Sequence, residues 1–310
     1  MKVLQVAVGV VKNAQDQVLI SLRPPRLHQG GLWEFPGGKL ERGESIEQAL
    51  VRELKEELDI SVISATPLIT VKHQYPEIAV QLHVFLVEQF SGEARSCEGQ
   101  PFKWVSSAEL NRYSFPAANR PIITAAQLPP FYAILDDADE SQLLVNLEKI
   151  LAGGVKLIQA RLKNLPLETV KAFVEEAYPL CKQQGAWLLM NSDVACGELV
   201  DSVDGVHLTG RHLMAASKRP KAKQWVAASC HNLRELQHAQ TIGVDFAVLA
   251  PVLATQTHPD TQPLGWAQFT KLVAQVNLPV YALGGLSVSG LNVARQAGGQ
   301  GVSAIRAFLE

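Results

Sequence analysis

From residue 131 onward, short apolar runs alternate with helix-like segments, and this alternation limits the fold more than any other feature of the chain. The strand-like runs are 131–135, 156–160, 186–190, 205–208, 225–229, 246–250, 280–282 and 301–305. Between them lie helix-like segments at 140–151, 167–184, 233–240, 266–276 and 288–297. Eight repeated strand units of this kind predict a (β/α)8 barrel of the TIM type. The stretch is short for that fold, and nothing helix-like follows the eighth strand, so the last helix is expected to be missing. An apolar flank on the first and eighth strands would then need cover from the other half of the chain, from the linker, or from a second copy in a homodimer.

Gln127-Leu128-Pro129-Pro130 reads as the linker, because consecutive prolines stiffen a connection and interrupt pairing. The expected domains are therefore 1–128 and 131–310. In the first, strands are expected at 3–11, 17–23, 63–73, 78–88 and 102–105, with a turn at Asn13–Asp16. Between the second and third strands a loop leads through Gly37-Gly38 into a helix. Ser45 and Gln48 form a capping box at its start, and Ile46, Leu50, Leu54 and Leu58 make a buried stripe. Glu53, Glu56 and Glu57 border that stripe instead of pointing opposite it. Like charges at this spacing cost about 0.2–0.5 kcal/mol per pair, and half-burial costs more unless a cation compensates. Hard carboxylate oxygens suit Mg²⁺, with Mn²⁺ as the alternative. Taken alone, the same residues would be a solvated acidic helix face.

Charge and composition exclude some partners. A net charge of −2 gives no general attraction to a nucleic acid polymer or an anionic membrane. Cys97, Cys181, Cys196 and Cys230 are scattered, as expected of ordinary thiols in a reducing cytoplasm. No apolar run reaches the 18 or so residues of a membrane span, and the N-terminus reads as a strand, not a signal peptide.

The glutamate helix and its approach resemble the Nudix signature G-x5-E-x7-R-E-U-x-E-E-x-G-U, where U is a bulky aliphatic residue. Gly38, Glu44, Arg52, Glu53, Leu54, Glu56, Glu57 and Ile60 fall in register, and Asp59 replaces the glycine. Asp tolerates the left-handed conformation expected there better than most residues. Leu4–Gly9, Glu34–Lys39, Glu98–Pro101 and Phe115–Asn119 extend the similarity, so that residues 1–128 resemble the MutT-type Nudix hydrolases that sanitise 8-oxo-dGTP. That resemblance implies an α/β/α sandwich and a nucleoside triphosphate substrate. It implies metal held by Glu53, Glu56, Glu57, Glu98 and the Gly38 carbonyl, with Arg52 and Glu44 orienting the cluster. Arg23, Phe35 and Asn119 would surround the purine, with Lys39 beside the substrate. Glu53 is the expected general base, with Glu98 as its rival. Glu77-Ile78 replaces an acidic–basic pair near the purine, which would relax base selectivity. Hydrolysis of another nucleoside diphosphate derivative, or a non-enzymatic nucleotide sensor, are the competing readings.

The second half resembles thiamine-phosphate synthase at Gln159–Lys163, Asn191-Ser192-Asp193, Asp204–Leu208, Ser229-Cys230-His231, Pro251 with Thr255-Gln256-Thr257, and Leu283-Gly284-Gly285. These sit mostly at strand C-termini, where barrels place their chemistry. The resemblance implies that Arg161 and Lys163 meet a diphosphate. Asn191, Thr255, Thr257, Gly284 and Gly285 would bind phosphate, the glycine pair forming a cup with the turn after Ile305. The family's two Mg²⁺-binding acids are replaced by Ser192 and His212, and its lysine by His258. A barrel that binds a phosphate ligand of the thiamine pathway without catalysing synthesis is expected. A bifunctional enzyme with an active synthase is the alternative.

Overall fold

Alternation along the first strand organises the N-terminal fold. In β1 (Val3–Val11), Ala7 and Val11 join one apolar cluster while Val8 and Val10 join another on the opposite face, the period of two that a pleated strand imposes. The computed structural model describes residues 3–26, 29–195, 197–222, 224–255 and 262–309, and it divides into two compact units, Met1–Gln127 and Leu128–Glu310.

The first unit continues with β2 (Gln17–Leu22), β3 (Trp33–Glu34), β4 (Gly37–Lys39), α1 (Ile46–Leu58), β5 (Ser61–Gln74), β6 (Ala79–Ser91), β7 (Phe102–Ser106) and α2 (Arg120–Gln127). One sheet runs β4-β1-β6-β5, with β1 and β6 parallel and the outer pairs antiparallel. The other, β3-β2-β7, is antiparallel. Leu50, Leu54 and Leu58 of α1 pack in the cluster of Ala7 and Val11, each contributing about 1.5–3 kcal/mol relative to exposure. Gly9 lets α1 sit close, since a Cβ there would lie 3.2 Å from Leu54 Cδ1. On the other face α2 buries Ile122 and Ile123 with Val8 and Phe35. This is the α/β/α sandwich expected. The short β3 and β4 lie in a stretch that reads as loop, and α2 was likewise not foreseen. Asp59 caps α1 in the left-handed conformation (φ 55°, ψ 24°), its carboxylate held by Lys55 and Arg95 at 2.5 Å each.

The second unit is a closed barrel of eight parallel strands: β8 (Phe131–Asp136), β9 (Leu157–Arg161), β10 (Trp187–Asn191), β11 (Gly205–Leu208), β12 (Trp225–Cys230), β13 (Phe246–Leu249), β14 (Val280–Leu283) and β15 (Gly301–Ala304). Pairing of β15 with β8, Val302 opposite Phe131, closes the ring. Around it lie α3 (Glu140–Ala152), α4 (Leu167–Gln183), α5 (Gly210–Ala215), α6 (Leu233–Ile242), α7 (Gly265–Val273) and α8 (Leu291–Gln296). The described residues after β15 form a turn, not a helix, and Phe308 packs edge-on against Phe131 with ring centroids 5.7 Å apart. The flank expected to be bare is thus partly covered by the chain itself. Residues 128–130, read from the sequence as part of a stiff linker, pack into the second unit. Leu128 is buried with Tyr132, Phe246 and Tyr281, the Tyr281 hydroxyl donates to the Pro129 carbonyl at 2.5 Å, and Gln300 Nε2 donates to the Leu128 carbonyl. These contacts make the segment part of the barrel's own core. Among the described residues no helix is long and apolar enough to cross a membrane.

Candidate functional site

Helix α1 presents its glutamates where the backbone of β4 passes closest. The capping box forms as expected: Ser45 Oγ accepts the Gln48 N–H at 3.2 Å and Gln48 Oε1 accepts the Ser45 N–H at 2.7 Å. One turn later Arg52 gathers the cluster. It donates to Glu44 at 2.7 and 3.2 Å, to Glu53 at 2.9 Å, to Glu56 at 3.0 Å and to the Lys39 carbonyl at 3.1 Å. Glu57 turns inward and accepts the Gly37 N–H at 3.1 Å. Gly38 lies flat against Glu53, where a Cβ would come within 2.2 Å of the carboxyl carbon. Gly37 is pressed against β1, where a Cβ would meet the Ala7 carbonyl oxygen at 2.2 Å. Both glycines are therefore required by close approach.

The electrostatics show a site short of positive charge. Burial pushes the Glu57 carboxyl up to about 8, with the charges of Glu34, Glu53 and Glu98 adding to the rise and the Gly37 N–H opposing it. Burial also raises Glu53, against the bonded Arg52, while Glu56 and Glu98 add to the rise. Arg52 and the Glu41 N–H hold the half-buried Glu44 carboxyl below its ordinary range. Glu98 is exposed in a loop and reaches the cluster through its field. Among the described residues no three acidic, histidine or cysteine side chains converge in a metal-binding arrangement. The physical reason is that Arg52 draws off Glu53 and Glu56, and Gly37 takes Glu57. The donor set nevertheless suits a hard divalent cation, because its donors are all oxygen and one arginine is shared among Glu44, Glu53 and Glu56.

A cavity of about 340 Å³ adjoins Glu53, Glu57 and Gly38. Arg23, Phe35, Lys39 and Asn119 line it, so the four expected substrate residues meet in one place. Asn119 is 8% exposed, and Phe35 is 2% exposed and stacked on Phe115 at 5.3 Å. Ile78 also lines the cavity, whereas Glu77 is exposed and does not. Two further lining residues were missed from the sequence. Glu34 forms an ion pair with Arg23, and burial raises its carboxyl against that pairing. Tyr75 stands at the β5–β6 turn, its hydroxyl raised by burial and held down in part by the Ala118 backbone. Glu34 had a signal, since it lies in the quoted Glu34–Lys39 stretch; Tyr75 had none.

In the barrel a cavity of about 440 Å³ opens at the strand C-termini, lined by Arg161, Lys163, Asn191, Thr255 and Gly284. A neighbouring cup of about 350 Å³ shares Thr255 and Gly284 and adds Gly285 with residues 303–307. Thr257 and His258 lie outside the described residues. Gly284 (φ 108°) and Gly285 (φ 63°) are left-handed, and a Cβ on Gly285 would strike the Ala254 carbonyl at 2.4 Å. Ser303 Oγ is buried in the cup with no partner among the described residues. Arg161 pairs with Asp136 at 2.6 Å and Lys163 with Asp193 at 2.5 Å. Burial opposes ionisation of Asp193, but Lys163, Arg211 and His212 outweigh it and hold the carboxyl below its ordinary range. Beneath, Tyr132 Oη, His207 and Ser229 Oγ form a hydrogen-bonded chain at 2.9 and 2.8 Å. Burial, with Lys163 and Arg161 adding, pulls His207 down to about 3, so its ring is neutral.

Each unit matches a known family. The thiamine monophosphate synthase family model matches residues 131–308, and the NUDIX domain model matches residues 7–125. The chain is 36% identical over 188 residues to the putative thiamine-phosphate synthase 2 of Aquifex aeolicus, covering 59% of this chain and 100% of that protein. It is 42% identical over 123 residues to the 8-oxo-dGTP diphosphatase of Escherichia coli, covering 40% of this chain and 95% of that protein. To the CTP pyrophosphohydrolase of the same species it is 34% identical over 125 residues, covering 40% and 92%. The chain therefore belongs to two families in series, an N-terminal NUDIX hydrolase of nucleoside triphosphate anhydrides related to the 8-oxo-dGTP diphosphatases, followed by a barrel of the thiamine monophosphate synthase family.

Proposed function

We propose that the N-terminal unit hydrolyses 8-oxo-dGTP to 8-oxo-dGMP and diphosphate, removing a mutagenic nucleotide from the pool. The observation that carries this reading is the cavity that joins Glu53, Glu57 and Gly38 to Phe35 and Asn119. Glu53, Glu56, Glu57, Glu98 and the Gly38 carbonyl would hold Mg²⁺, which neutralises phosphate oxygens and lowers the pKa of the attacking water. Glu53 accepts that water's proton as general base. Arg52 holds Glu53 and Glu56 in place through its bonds to both and to Glu44. The Asn119 amide both donates and accepts, which suits the edge of an oxidised guanine. Glu53→Gln should lose about 10²–10⁴-fold in rate, the usual worth of a general base. Near-parental turnover would reject Glu53 for this role and leave Glu98 to be tested.

The similarity to a CTP pyrophosphohydrolase, together with Ile78 in the cavity wall, supports a second reading in which another nucleotide is preferred. A panel of 8-oxo-dGTP, dGTP and CTP, followed by diphosphate release, decides between them. The expected result is the highest kcat/KM for 8-oxo-dGTP, with the preference over dGTP reduced in Asn119→Ala. Equal kcat/KM for the two guanine nucleotides would reject the first reading. Metal-dependent turnover of any of the three would exclude a non-enzymatic sensor.

For the barrel, we infer that it binds thiamine phosphate or a phosphorylated precursor but does not couple the precursors at a useful rate. Supporting the binding are Arg161, Lys163, the glycine cup and the unpartnered Ser303 hydroxyl. Against catalysis stand Ser192 and His212 at the metal positions. Incubating the full chain with both precursors and Mg²⁺ tests this. Product at about 1 s⁻¹ or faster would mark an active synthase.

A further inference from the structure

The family resemblance implies a divalent cation at the barrel rim above β10 and β11, and the residues present do not fit one. Ser192 Oγ lies 2.8 Å from His212 Nδ1 and accepts the Thr209 N–H at 3.0 Å. The two replacements are thus hydrogen-bonded to each other. Asp193, the carboxylate that remains beside them, already takes Lys163 Nζ at 2.5 Å and Arg211 Nη2 at 3.3 Å, with His212 Nδ1 at 3.7 Å. Among the described residues no group of three acidic, histidine or cysteine side chains there is arranged to hold a metal. A hydroxyl and an imidazole are also weak ligands for hard Mg²⁺.

The charge balance explains what this exchange preserves. Two carboxylates with a divalent cation sum to zero, and a hydroxyl with an imidazole brings no negative charge that a cation would have to offset. Arg211 pairs with Asp193, so the one carboxylate left at the rim is met by a protein cation instead of a metal. The ion pairs do not exhaust the cations. Lys163 carries three donors and Arg161 five, and each lines the cavity while bonding one carboxylate.

We propose that the barrel cavity holds its phosphate ligand with the protein cations that line it, Lys163 and Arg161, in place of a divalent metal, so that binding requires no Mg²⁺. This rests on the reading that the barrel binds a phosphorylated thiamine compound, and it adds how the phosphate is held. Charge-assisted hydrogen bonds from lysine and arginine to phosphate supply the affinity.

Calorimetric titration of the full chain with thiamine phosphate, in EDTA and in excess Mg²⁺, tests it. This ligand is a monoester and offers the N-terminal unit no anhydride to cleave. The two Kd values should agree within about twofold, a difference of well under 1 kcal/mol. Arg161→Met should weaken binding about fivefold or more in both buffers, a loss expected of one charge-assisted contact. An unchanged thermal transition in Arg161→Met shows that the loss is of binding and not of fold. The double variant Ser192→Asp, His212→Asp should bind more weakly in EDTA and recover when Mg²⁺ is added. If Mg²⁺ tightened binding by the parent chain about tenfold or more, this proposal would fail while the binding reading stood. No binding in either buffer would overturn both.

Discussion

Replacing Gly38 by alanine separates the geometry of the glutamate cluster from the fold that carries it. A Cβ at Gly38 falls 2.2 Å from both Cδ and Oε1 of Glu53, whereas ordinary contact begins at 3.4 Å. The carboxylate must retreat by the difference, about 1.2 Å, and misplacement by about 1 Å costs on the order of a hundredfold in rate. Gly38 does not have a left-handed φ, so alanine is tolerated by the backbone and the whole displacement falls on the flexible Glu53 side chain. Gly38→Ala should leave the thermal transition of the chain nearly unchanged. Its kcat for nucleoside triphosphate hydrolysis, read by diphosphate release, should fall about a hundredfold. Gly37→Ala is the control: its Cβ would lie 2.2 Å from the Ala7 carbonyl oxygen at a φ of 141°, so the clash is with backbone and stability itself should drop. Turnover by Gly38→Ala within about threefold of the parent, less than 1 kcal/mol of barrier, would refute the argument.

Two further outcomes follow from the same cluster. Arg52→Met should shift the acid limb of the pH–rate profile upward, because the bonded Arg52 is what restrains the rise of Glu53; an unmoved limb would mean that Arg52 does not act through Glu53. Glu57, raised by burial from 4.5 to about 8, gives stability in its protonated form. That contribution is complete below the unfolded value and is lost as pH rises through about 8, a few kcal/mol at most. In EDTA the thermal midpoint of the N-terminal unit should therefore fall from pH 5 to 9, and Glu57→Gln should flatten the fall. A slope unchanged in that variant would reject Glu57 as its source.

Much of the fold was legible because burial on both faces leaves a clear trace. All eight barrel strands read from the sequence overlap those observed, and 205–208 coincides with β11. What was missed is short or is decided from outside the segment. β3 and β4 have two and three residues, too few to show any period; β4 exists because Gly37 and Gly38 fit against β1, and β3 because Trp33 and Glu34 pair with β2. The prolines at 129 and 130 suggested a spacer by their local chemistry. Leu128 and the Pro129 carbonyl are instead held by Gln300 and Tyr281, 172 and 152 residues away.

The candidate sites divide in the same way. Residues on α1 could be placed relative to one another because helical geometry fixes the angle between Glu53, Glu56 and Glu57. Glu34, Tyr75 and Ser303 could not, since each joins its cavity only when separate segments pack. The barrel rim carries the sharpest example. In the sequence Ser192 and His212 stand twenty residues apart, and each reads as the separate loss of an acid. In the structure they are bonded at 2.8 Å, and the neighbouring Asp193 is taken up by Lys163 and Arg211. An aspartate restored at 192 alone would face His212 with no second acid to share a cation, and one restored at 212 would meet only a hydroxyl. Either single reversal would add a negative charge to a site arranged for anions. The two positions therefore act as one replacement, which is why the structure points to altered binding instead of simple decay.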